Sequence, residues 1–298
     1  MDSFAPKNKH YFKWFNFKKN ILMNYFFSVD LEDWYHLEYL KKYNLESKNI
    51  FVSEMIFFLD FLDKKNIKIT FFILGELIAE HRELIKEISL RGHEIAIHGW
   101  DHELLNNKND DLFIKQISRA KNELEKIHNR PVIGYRAPCF SMNNKKFNLL
   151  KDLGVKYDSS YIDFSSHPLY GSLDVSEFNK IEDHIYEHNG VYEVELPTLN
   201  LFNKRIPFSG GGYFRMNNLN ISKLLIKKHF QKNKNFTFYT HPFELSKKTI
   251  QLDSVGLMDK FRFSIGRKNN IDKTSRYIDY LIELGCKFNT IESYINKL

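Results

Sequence analysis

Apolar positions from about residue 23 onward alternate between short continuous runs and helical repeats. Residues 25–30 (YFFSVD) and 67–74 (IKITFFIL) are aromatic and β-branched runs of strand length. Between them, apolar residues at positions 55 to 62 recur at helical spacing, and Ser53 can cap that helix. A regular exchange of strand and helix predicts βαβ units and a largely parallel sheet.

The same alternation continues along most of the chain. It predicts helices over about 76–90, 111–128, 219–230 and 272–285, and strands over 93–98, 132–135, 236–240 and 287–290, with a terminal helix after them. It is lost between about residues 159 and 217, which we interpret as loops and short strands over one rim. A chain of 298 residues, 43% of them hydrophobic, can bury the core of one large domain.

We therefore predict a single α/β domain over residues 23–298. Residues 1–22 form a basic, aromatic N-terminal extension, interpreted as a disordered lead-in or as a start assigned too early, since Met23 immediately precedes the first strand. Such a segment can also contact an anionic membrane surface.

Composition limits the classes of partner and compartment. The excess of 44 Lys and Arg over 37 Asp and Glu gives a formal charge of +7. This charge favours acidic partners such as a phosphorylated substrate, although a lysine-rich solvated surface also explains it. No helix-turn-helix, zinc-finger or RNP pattern accompanies the charge, so nucleic acid is not expected. Two cysteines exclude a disulfide framework. Because we find neither an apolar run of about 18 residues nor a signal-peptide core, we expect a cytoplasmic, soluble protein.

Polar side chains follow the predicted strands at the point where each strand ends. Because the carboxyl ends of parallel strands meet at one edge, these side chains are expected to lie together. Two histidines four residues apart facing a carboxylate fit a metal site, whereas a lone HxxxH is equally explained by capping or surface histidines. The strand-end residues are Asp30, Glu32 and Asp33, then His98 and His102, then Arg136, and finally His241 with Glu244.

Six ordered motifs give the sequence a resemblance to a known family. They are ITFFILG (69–75), RGHEIAIHGWDH (91–102), GYRAPCFS (134–141), KYDSS (156–160), GGGYFR (210–215) and YTHPFE (239–244), preceded by VDLEDW (29–34). The chain resembles polysaccharide deacetylases of the NodB-homology (carbohydrate esterase 4) type. The resemblance implies a distorted (β/α) barrel and metal-dependent removal of N-acetyl groups from an amino sugar.

The resemblance also implies roles for individual residues. Asp30 matches the catalytic base that takes a proton from the attacking water, and Arg136 would pair with it and keep it ionised. His98 and His102 match the histidine ligands of a divalent metal, with Zn²⁺ the first choice. His241 matches the general acid that protonates the leaving amine.

Further candidates surround these residues. Asp158 is a candidate to orient or charge His241, and the backbone N–H near Phe140 is a candidate oxyanion donor. Trp34 is a candidate to stack on a sugar ring, with core packing an equal alternative. Tyr213 lies in the glycine-rich segment SGGGYFR, which would let a substrate approach closely.

One departure from the family pattern leaves the carboxylate ligand open. Many relatives carry adjacent aspartates, base then ligand, whereas residue 31 is Leu here. If the strand continues, Asp30 and Glu32 share a face, which favours Glu32. If the chain turns sharply after Leu31, Asp33 is favoured.

The charge and the missing export signal suggest an anionic substrate, such as a nucleotide- or lipid-linked sugar. Arg262 and Arg267 can bind phosphate, with a surface helix end equally plausible. Two alternatives stay open: another metal amidohydrolase on the same scaffold, acting on formyl or ureide groups, and a non-catalytic glycan-binding module.

Overall fold

The computed structural model describes residues 22–46, 48–164, 167–201 and 204–298. The predicted N-terminal extension therefore lies outside the described residues except for Leu22, which is exposed. The first strand begins directly after Met23, as predicted. The strands are β1 (Asn24–Leu31), β2 (Thr70–Ile73), β3 (Glu94–Ile97), β4 (Gly134–Tyr135), β5 (Tyr157–Asp158), β6 (Asn179–Glu182), β7 (Ile185–His188), β8 (Val191–Val194), β9 (Thr198–Leu201), β10 (Lys204–Pro207), β11 (Asn235–Thr240) and β12 (Lys287–Phe288).

Helices connect the strands and cover the outside of the sheet. The longer helices carry a buried apolar stripe: in the helix over residues 55–64, for example, Met55, Phe58, Leu59 and Leu62 are buried, at spacings of three and four. The α-helices are α1 (Glu38–Lys41), α2 (Met55–Lys64), α3 (Arg82–Leu90), α4 (Asp110–His128), α5 (Asn144–Leu149), α6 (Gly211–Met216), α7 (Leu219–Phe230), α8 (Pro242–Leu245), α9 (Leu257–Ser264), α10 (Asn270–Glu283) and α11 (Ile291–Ile295).

The main sheet is parallel over most of its width. Its order is β11-β1-β2-β3-β4-β5-β8-β7-β6, with β12 also paired to β1. The pairs from β11 through β8 are parallel, whereas β7 runs antiparallel to both of its neighbours, β8 and β6. Parallel pairing places the carboxyl ends of β1, β3, β4 and β11 at one edge, which is the geometry that the strand-end residues require.

Side-chain hydrogen bonds join the two edges of this sheet and give it the form of a distorted barrel. Asn235, at the start of β11, donates to the carboxylate of Glu182 at 3.0 Å and to the carbonyl of Asp183 at 3.1 Å. These acceptors lie at the end of β6, which is the edge strand of the sheet opposite β11. The predicted α/β fold with a distorted barrel is therefore confirmed.

The stretch from 159 to 217 differs from the prediction. We expected loops and short strands over one rim, but β6, β7 and β8 extend the main sheet and supply its antiparallel edge. Strands β9 and β10 pair with each other in a separate two-stranded sheet. Strand β6 has few apolar residues to bury, and its burial pattern is mostly exposed, so no alternation marks it in the sequence. Within the described residues, no helix is long and apolar enough to cross a bilayer.

Candidate metal centre and active site

The buried pair of Asp30 and Arg136 lies at the carboxyl ends of β1 and β4. Arg136 Nη1 donates to Asp30 Oδ1 at 2.7 Å and to Ser28 Oγ at 2.7 Å. Its other nitrogens donate to the carbonyl and hydroxyl oxygens of Ser159, both at 2.9 Å. Because the fully buried guanidinium is held on several sides, it fixes the carboxylate of Asp30 in one position.

Glu32, His98 and His102 converge beside this pair. One ligand atom from each lies within 4.8 Å of the others. Glu32 Oε2 is 2.6 Å from His102 Nε2 and 3.7 Å from His98 Nε2. All three side chains are buried, and Glu32 Oε2 has no hydrogen-bond partner within the described residues. Two imidazoles and one carboxylate are the donor set of many catalytic zinc sites, so these residues fit a divalent cation.

Contacts behind the cluster orient its ligands. His98 Nδ1 lies 3.0 Å from the carbonyl of Arg136, which makes Nδ1 the donor and leaves the Nε2 lone pair free for a metal. Burial lowers the pKa of His102 and favours the neutral imidazole that coordination requires. Burial would raise the pKa of Glu32, but the neighbouring imidazoles, chiefly His102, hold it well below its ordinary value.

His241 approaches the same cluster from the end of β11. Its Nε2 lies 3.5 Å from Glu32 Oε1, and its Nδ1 lies 2.9 Å from Glu244 Oε2. The second oxygen of Glu244 accepts from Arg215 Nε at 2.5 Å. Burial alone would lower the pKa of His241, but the adjacent Glu244 and the fields of Glu32 and Asp30 raise it to about 9. The imidazole can therefore carry a proton at the pocket.

A pocket of about 430 Å³ opens over these groups. Asp30, Glu32, both cluster histidines and His241 line its floor. This size lies within the usual range for small-molecule sites. The rest of the wall is largely apolar and aromatic: Leu37, Phe140, Leu169, Tyr170, Tyr213, Met216, Tyr239, Met258, Phe261 and Ile265.

Asp33 is not brought to the cluster. Its Oδ2 accepts from the backbone N–H groups of Ile50 (2.8 Å), Phe51 (2.8 Å) and Val52 (3.1 Å), while Oδ1 accepts from Trp34 N at 2.8 Å. Oδ2 thus braces the loop before α2, and Oδ1 caps the turn after β1. The geometry favours Glu32 as the carboxylate ligand and disagrees with Asp33.

Asp158 does not orient His241. Its carboxylate accepts from Ser160 Oγ at 2.7 Å and interacts with Glu193, whose Oε1 accepts from Ser160 N at 3.0 Å. Burial raises the pKa of both Asp158 and Glu193, which disfavours two full charges on this pair. Asp158 supports the loop that carries Ser159 and so acts behind Arg136. Glu244 holds the position beside His241 that we predicted for Asp158.

Two predicted substrate contacts also differ from the structure. The N–H of Phe140 donates to the carbonyl of Ala137 at 2.9 Å, so it is not free to bind an oxyanion. Trp34 is buried in a separate apolar cluster, and its Nε1 donates to the carbonyl of Lys48 at 3.1 Å. Core packing, the stated alternative for Trp34, is what the structure shows. Tyr213 does line the pocket and hydrogen-bonds Tyr170.

Sequence reasoning assigned no role to four residues that lie at the site. Glu244 and Arg215 form the chain behind His241, and both stand in motifs already noted, YTHPFE and GGGYFR. Ligand-type atoms of Cys139 and Glu38 also lie within 4.8 Å of one another and of His102, which places the thiol beside the cluster. Burial raises the pKa of the Cys139 thiol, which disfavours a thiolate in the unliganded site. Cys139 has a positive φ of 50°, which sequence does not disclose.

Comparison with known proteins agrees with this geometry. Residues 57–157 match the family model for polysaccharide deacetylase, and residues 159–296 match a domain of unknown function, DUF3473. Among curated proteins, a peptidoglycan-N-acetylglucosamine deacetylase of Bacillus cereus is 29% identical over 98 residues, which is 33% of this chain and 46% of the relative. The alignment thus spans less than half of that protein.

Solved structures share the fold across nearly the whole chain. A polysaccharide deacetylase from Mycobacterium smegmatis superposes with a TM-score of 0.60 at 19% identity, covering 94% of this chain and 91% of that one. A carbohydrate esterase 4 (CE4) family pseudoenzyme from Bacillus anthracis has a TM-score of 0.51 at 13% identity, covering 92% and 66%. The fold is therefore compatible with loss of activity, so the site residues must decide function. The chain thus matches the polysaccharide deacetylase family model over residues 57–157, and it shares the fold of solved structures that include carbohydrate esterase 4 proteins.

Proposed function

We propose that this protein is a metal-dependent hydrolase that removes N-acetyl groups from an amino sugar. The observation that carries the proposal is the convergence on one pocket of a ligand cluster, a buried carboxylate and an imidazole. Asp30 with Arg136 lies on one side of the cluster, and His241 with Glu244 lies on the other.

Glu32, His98 and His102 would hold the cation. A bound Zn²⁺ or similar divalent ion supplies Lewis acidity, which lowers the pKa of water and polarises an amide carbonyl. The protein residues provide the proton transfers. Asp30 accepts the proton of the attacking water, and its pairing with Arg136 keeps one oxygen anchored while the other faces the pocket.

His241 donates the proton that the departing amine needs. Its Nδ1 is held by Glu244, so the proton on Nε2 points into the pocket toward Glu32. C–N cleavage then releases acetate and a free amino sugar. A base and an acid facing one another across the cluster are not required by a module that only binds glycans, which favours hydrolysis over the non-catalytic alternative.

The finer substrate is part of the proposal. The net charge of +7 and the position of Arg262 at the pocket mouth favour an anionic conjugate over a neutral polymer. We accordingly propose a phosphate-linked amino sugar, taken from the cytoplasmic side, as the substrate class.

Acetate release from N-acetylglucosamine conjugates, with formate release and ureide turnover measured in parallel, tests the reaction. Protein stripped with a chelator and reloaded with Zn²⁺ is expected to regain activity. Asp30→Asn should lose about two to four powers of ten in kcat if Asp30 is the base. Full activity in Asp30→Asn would rule out this mechanism, and formate or ureide turnover in place of acetate would favour the other amidohydrolase.

Metal binding can be measured without activity. Zn²⁺ at a hundredfold excess over Kd should stabilise the folded wild-type protein by about 2.7 kcal/mol. His102→Ala should abolish most of this shift in thermal denaturation, whereas His93→Gln is the matched control because His93 accepts a backbone N–H of Ile69 outside the cluster. An equal Zn²⁺ shift in His102→Ala would contradict the ligand assignment.

A further inference from the structure

Helix α9 exposes three large apolar side chains to solvent. Leu257, Met258 and Phe261 are 86%, 77% and 61% exposed. Residues three and four apart share a helix face, so the three side chains form one apolar patch. The opposite side of the helix buries Phe263 in the protein. Three such residues within five positions make an apolar patch that folding alone does not explain.

The patch is continuous with the mouth of the candidate active site. Met258 and Phe261 line the same pocket as Glu32, together with Met216, which is 55% exposed. We call Met216, Leu257, Met258 and Phe261 the apolar rim. Any surface that covers this rim therefore lies over the entrance through which substrate reaches the cluster.

Arg215 fixes the rim relative to the catalytic groups. Its guanidinium donates to the carbonyls of Arg262 (3.3 Å), Phe263 (3.2 Å) and Ile265 (2.7 Å), which lie at the C-terminal end of α9. The same side chain bonds Glu244 behind His241. Helix α9 is thus held at a defined position beside the pocket by a buried arginine.

Basic side chains accompany the rim. Between residues 253 and 268 the sequence has four Lys and Arg but two Asp, and Asp259 is paired with Lys42 at 2.7 Å. Arg262 and Lys268 are exposed. The Arg262 guanidinium lies 4.3 Å from the ring centre of Tyr39 and forms no ion pair with a carboxylate in the described part of the chain. Apolar residues flanked by unneutralised cations are typical of a helix that lies in a membrane interface.

We propose that the apolar rim docks on a bilayer containing anionic lipid, with Leu257, Met258 and Phe261 entering the boundary between headgroups and acyl chains. The pocket mouth then faces the membrane. Taken with the proposed deacetylase activity, on which this last step rests, the substrate is an amino sugar carried on a membrane lipid through a phosphate linkage, with Arg262 placed to bind the phosphate.

Vesicle sedimentation tests the docking without any enzyme assay. The purified full chain is expected to sediment with phosphatidylcholine vesicles that contain phosphatidylglycerol, and less with phosphatidylcholine alone. The triple variant Leu257→Ser, Met258→Ser, Phe261→Ser should partition at least about tenfold more weakly, because three inserting side chains are lost. The matched control is Phe57→Ser, Leu90→Ser, which removes side chains of similar exposure (67% and 70%) from α2 and α3, outside the pocket.

Three results would overturn the docking: wild-type protein that stays in solution, a triple variant that binds like wild type, or a control variant that loses as much binding. Thermal denaturation confirms that each variant is folded. If the protein deacetylates soluble oligosaccharide but does not bind vesicles, the docking of the apolar rim on a membrane is refuted and the proposed function stands. Vesicle binding by a protein that deacetylates neither soluble nor lipid-linked sugar refutes the proposed function and leaves the docking intact.

Discussion

Replacing Glu244 with Gln tests the chain of groups behind the candidate general acid. In the folded protein Glu244 Oε2 accepts from His241 Nδ1 (2.9 Å), His241 N (3.1 Å) and Thr240 Oγ1 (3.1 Å), while Oε1 accepts from Arg215 Nε (2.5 Å). Gln has nearly the same shape but only one accepting oxygen. Its amide nitrogen must therefore face either His241 or Arg215 with a donor instead of an acceptor.

The expected cost follows from the charge of Glu244. Burial would raise the pKa of Glu244, but His241 and Arg215 lower it from 4.5 to about 2. A lowered pKa means that the carboxylate stabilises the folded state at neutral pH, and that this contribution disappears as the pH falls from about 4.5 towards 2. A shift of this size corresponds to about 3 kcal/mol. Breaking a buried ion pair costs roughly the same, about 3–5 kcal/mol.

We expect the lower end of that range for Glu244→Gln. The guanidinium of Arg215 keeps its three carbonyl acceptors at the end of α9 when the carboxylate is lost. The effect on catalysis should be larger, because His241 loses the negative charge beside Nδ1 that raises its pKa and holds its proton. We expect kcat to fall roughly a hundredfold or more with little change in KM.

Denaturant unfolding and steady-state acetate release measure the two effects separately. The double variant Glu244→Gln, Arg215→Met should regain part of the lost stability, since no buried charge is left without its partner, but it should not regain kcat. A Glu244→Gln protein with wild-type kcat would refute the positioning role. A fall in activity that disappears when stability is restored would show that Glu244 is merely structural.

Two further predictions concern carboxylates outside the ligand cluster. Asp33→Asn should lower the melting temperature, because at least one of the four hydrogen bonds from backbone N–H groups to Asp33 is weakened. Elemental analysis should find the same amount of bound Zn²⁺ per chain as in the wild type. Loss of zinc from a fully folded variant would show that Asp33 is a ligand. Burial raises the pKa of Glu94 to about 7. The folded state therefore binds more protons than the unfolded state between about pH 4.5 and 7. The free energy of unfolding should fall by about 3 kcal/mol as the pH rises across that interval. Glu94→Gln, which keeps neutral hydrogen bonds to Thr70 and Tyr157, should flatten this slope in denaturant titrations, and an unchanged slope would assign it to other groups.

The strand-end residues were predictable from sequence because a general rule applies to them. In a parallel sheet every strand presents its carboxyl end at the same edge, so Asp30, His98, Arg136 and His241 had to be neighbours once β1, β3, β4 and β11 were recognised. The helix α7 was predicted with its observed limits, Leu219–Phe230, because its apolar residues keep a regular helical spacing.

The errors come from contacts that no local pattern encodes. Asp33 is held by Phe51 and its neighbours, about eighteen residues along the chain, and the loop that brings them back has no periodicity. Asp158 is the last residue of β5 and Glu244 lies just after β11, and either could have served His241 by order alone. The choice between them depends on the local turn at His241-Pro-Phe-Glu244, where a short helix brings residue 244 back to residue 241.

The order Asp30-Leu31-Glu32-Asp33 places two carboxylates of the candidate site two residues apart. Side chains alternate along β1, so Leu31 points into the core, where it is fully buried, and Asp30 and Glu32 both face the pocket. The base and the proposed ligand can then be fixed by different partners, Arg136 for one and the imidazoles for the other. Asp33 lies outside the ligand cluster and braces the loop before α2. Because Asp30 and Glu32 are two residues apart, Asp33 is left to hold the turn after β1 through its own hydrogen bonds. Inserting a residue between Asp30 and Glu32 should separate the proposed base from the proposed ligand while leaving the hydrogen bonds of Asp33 in place.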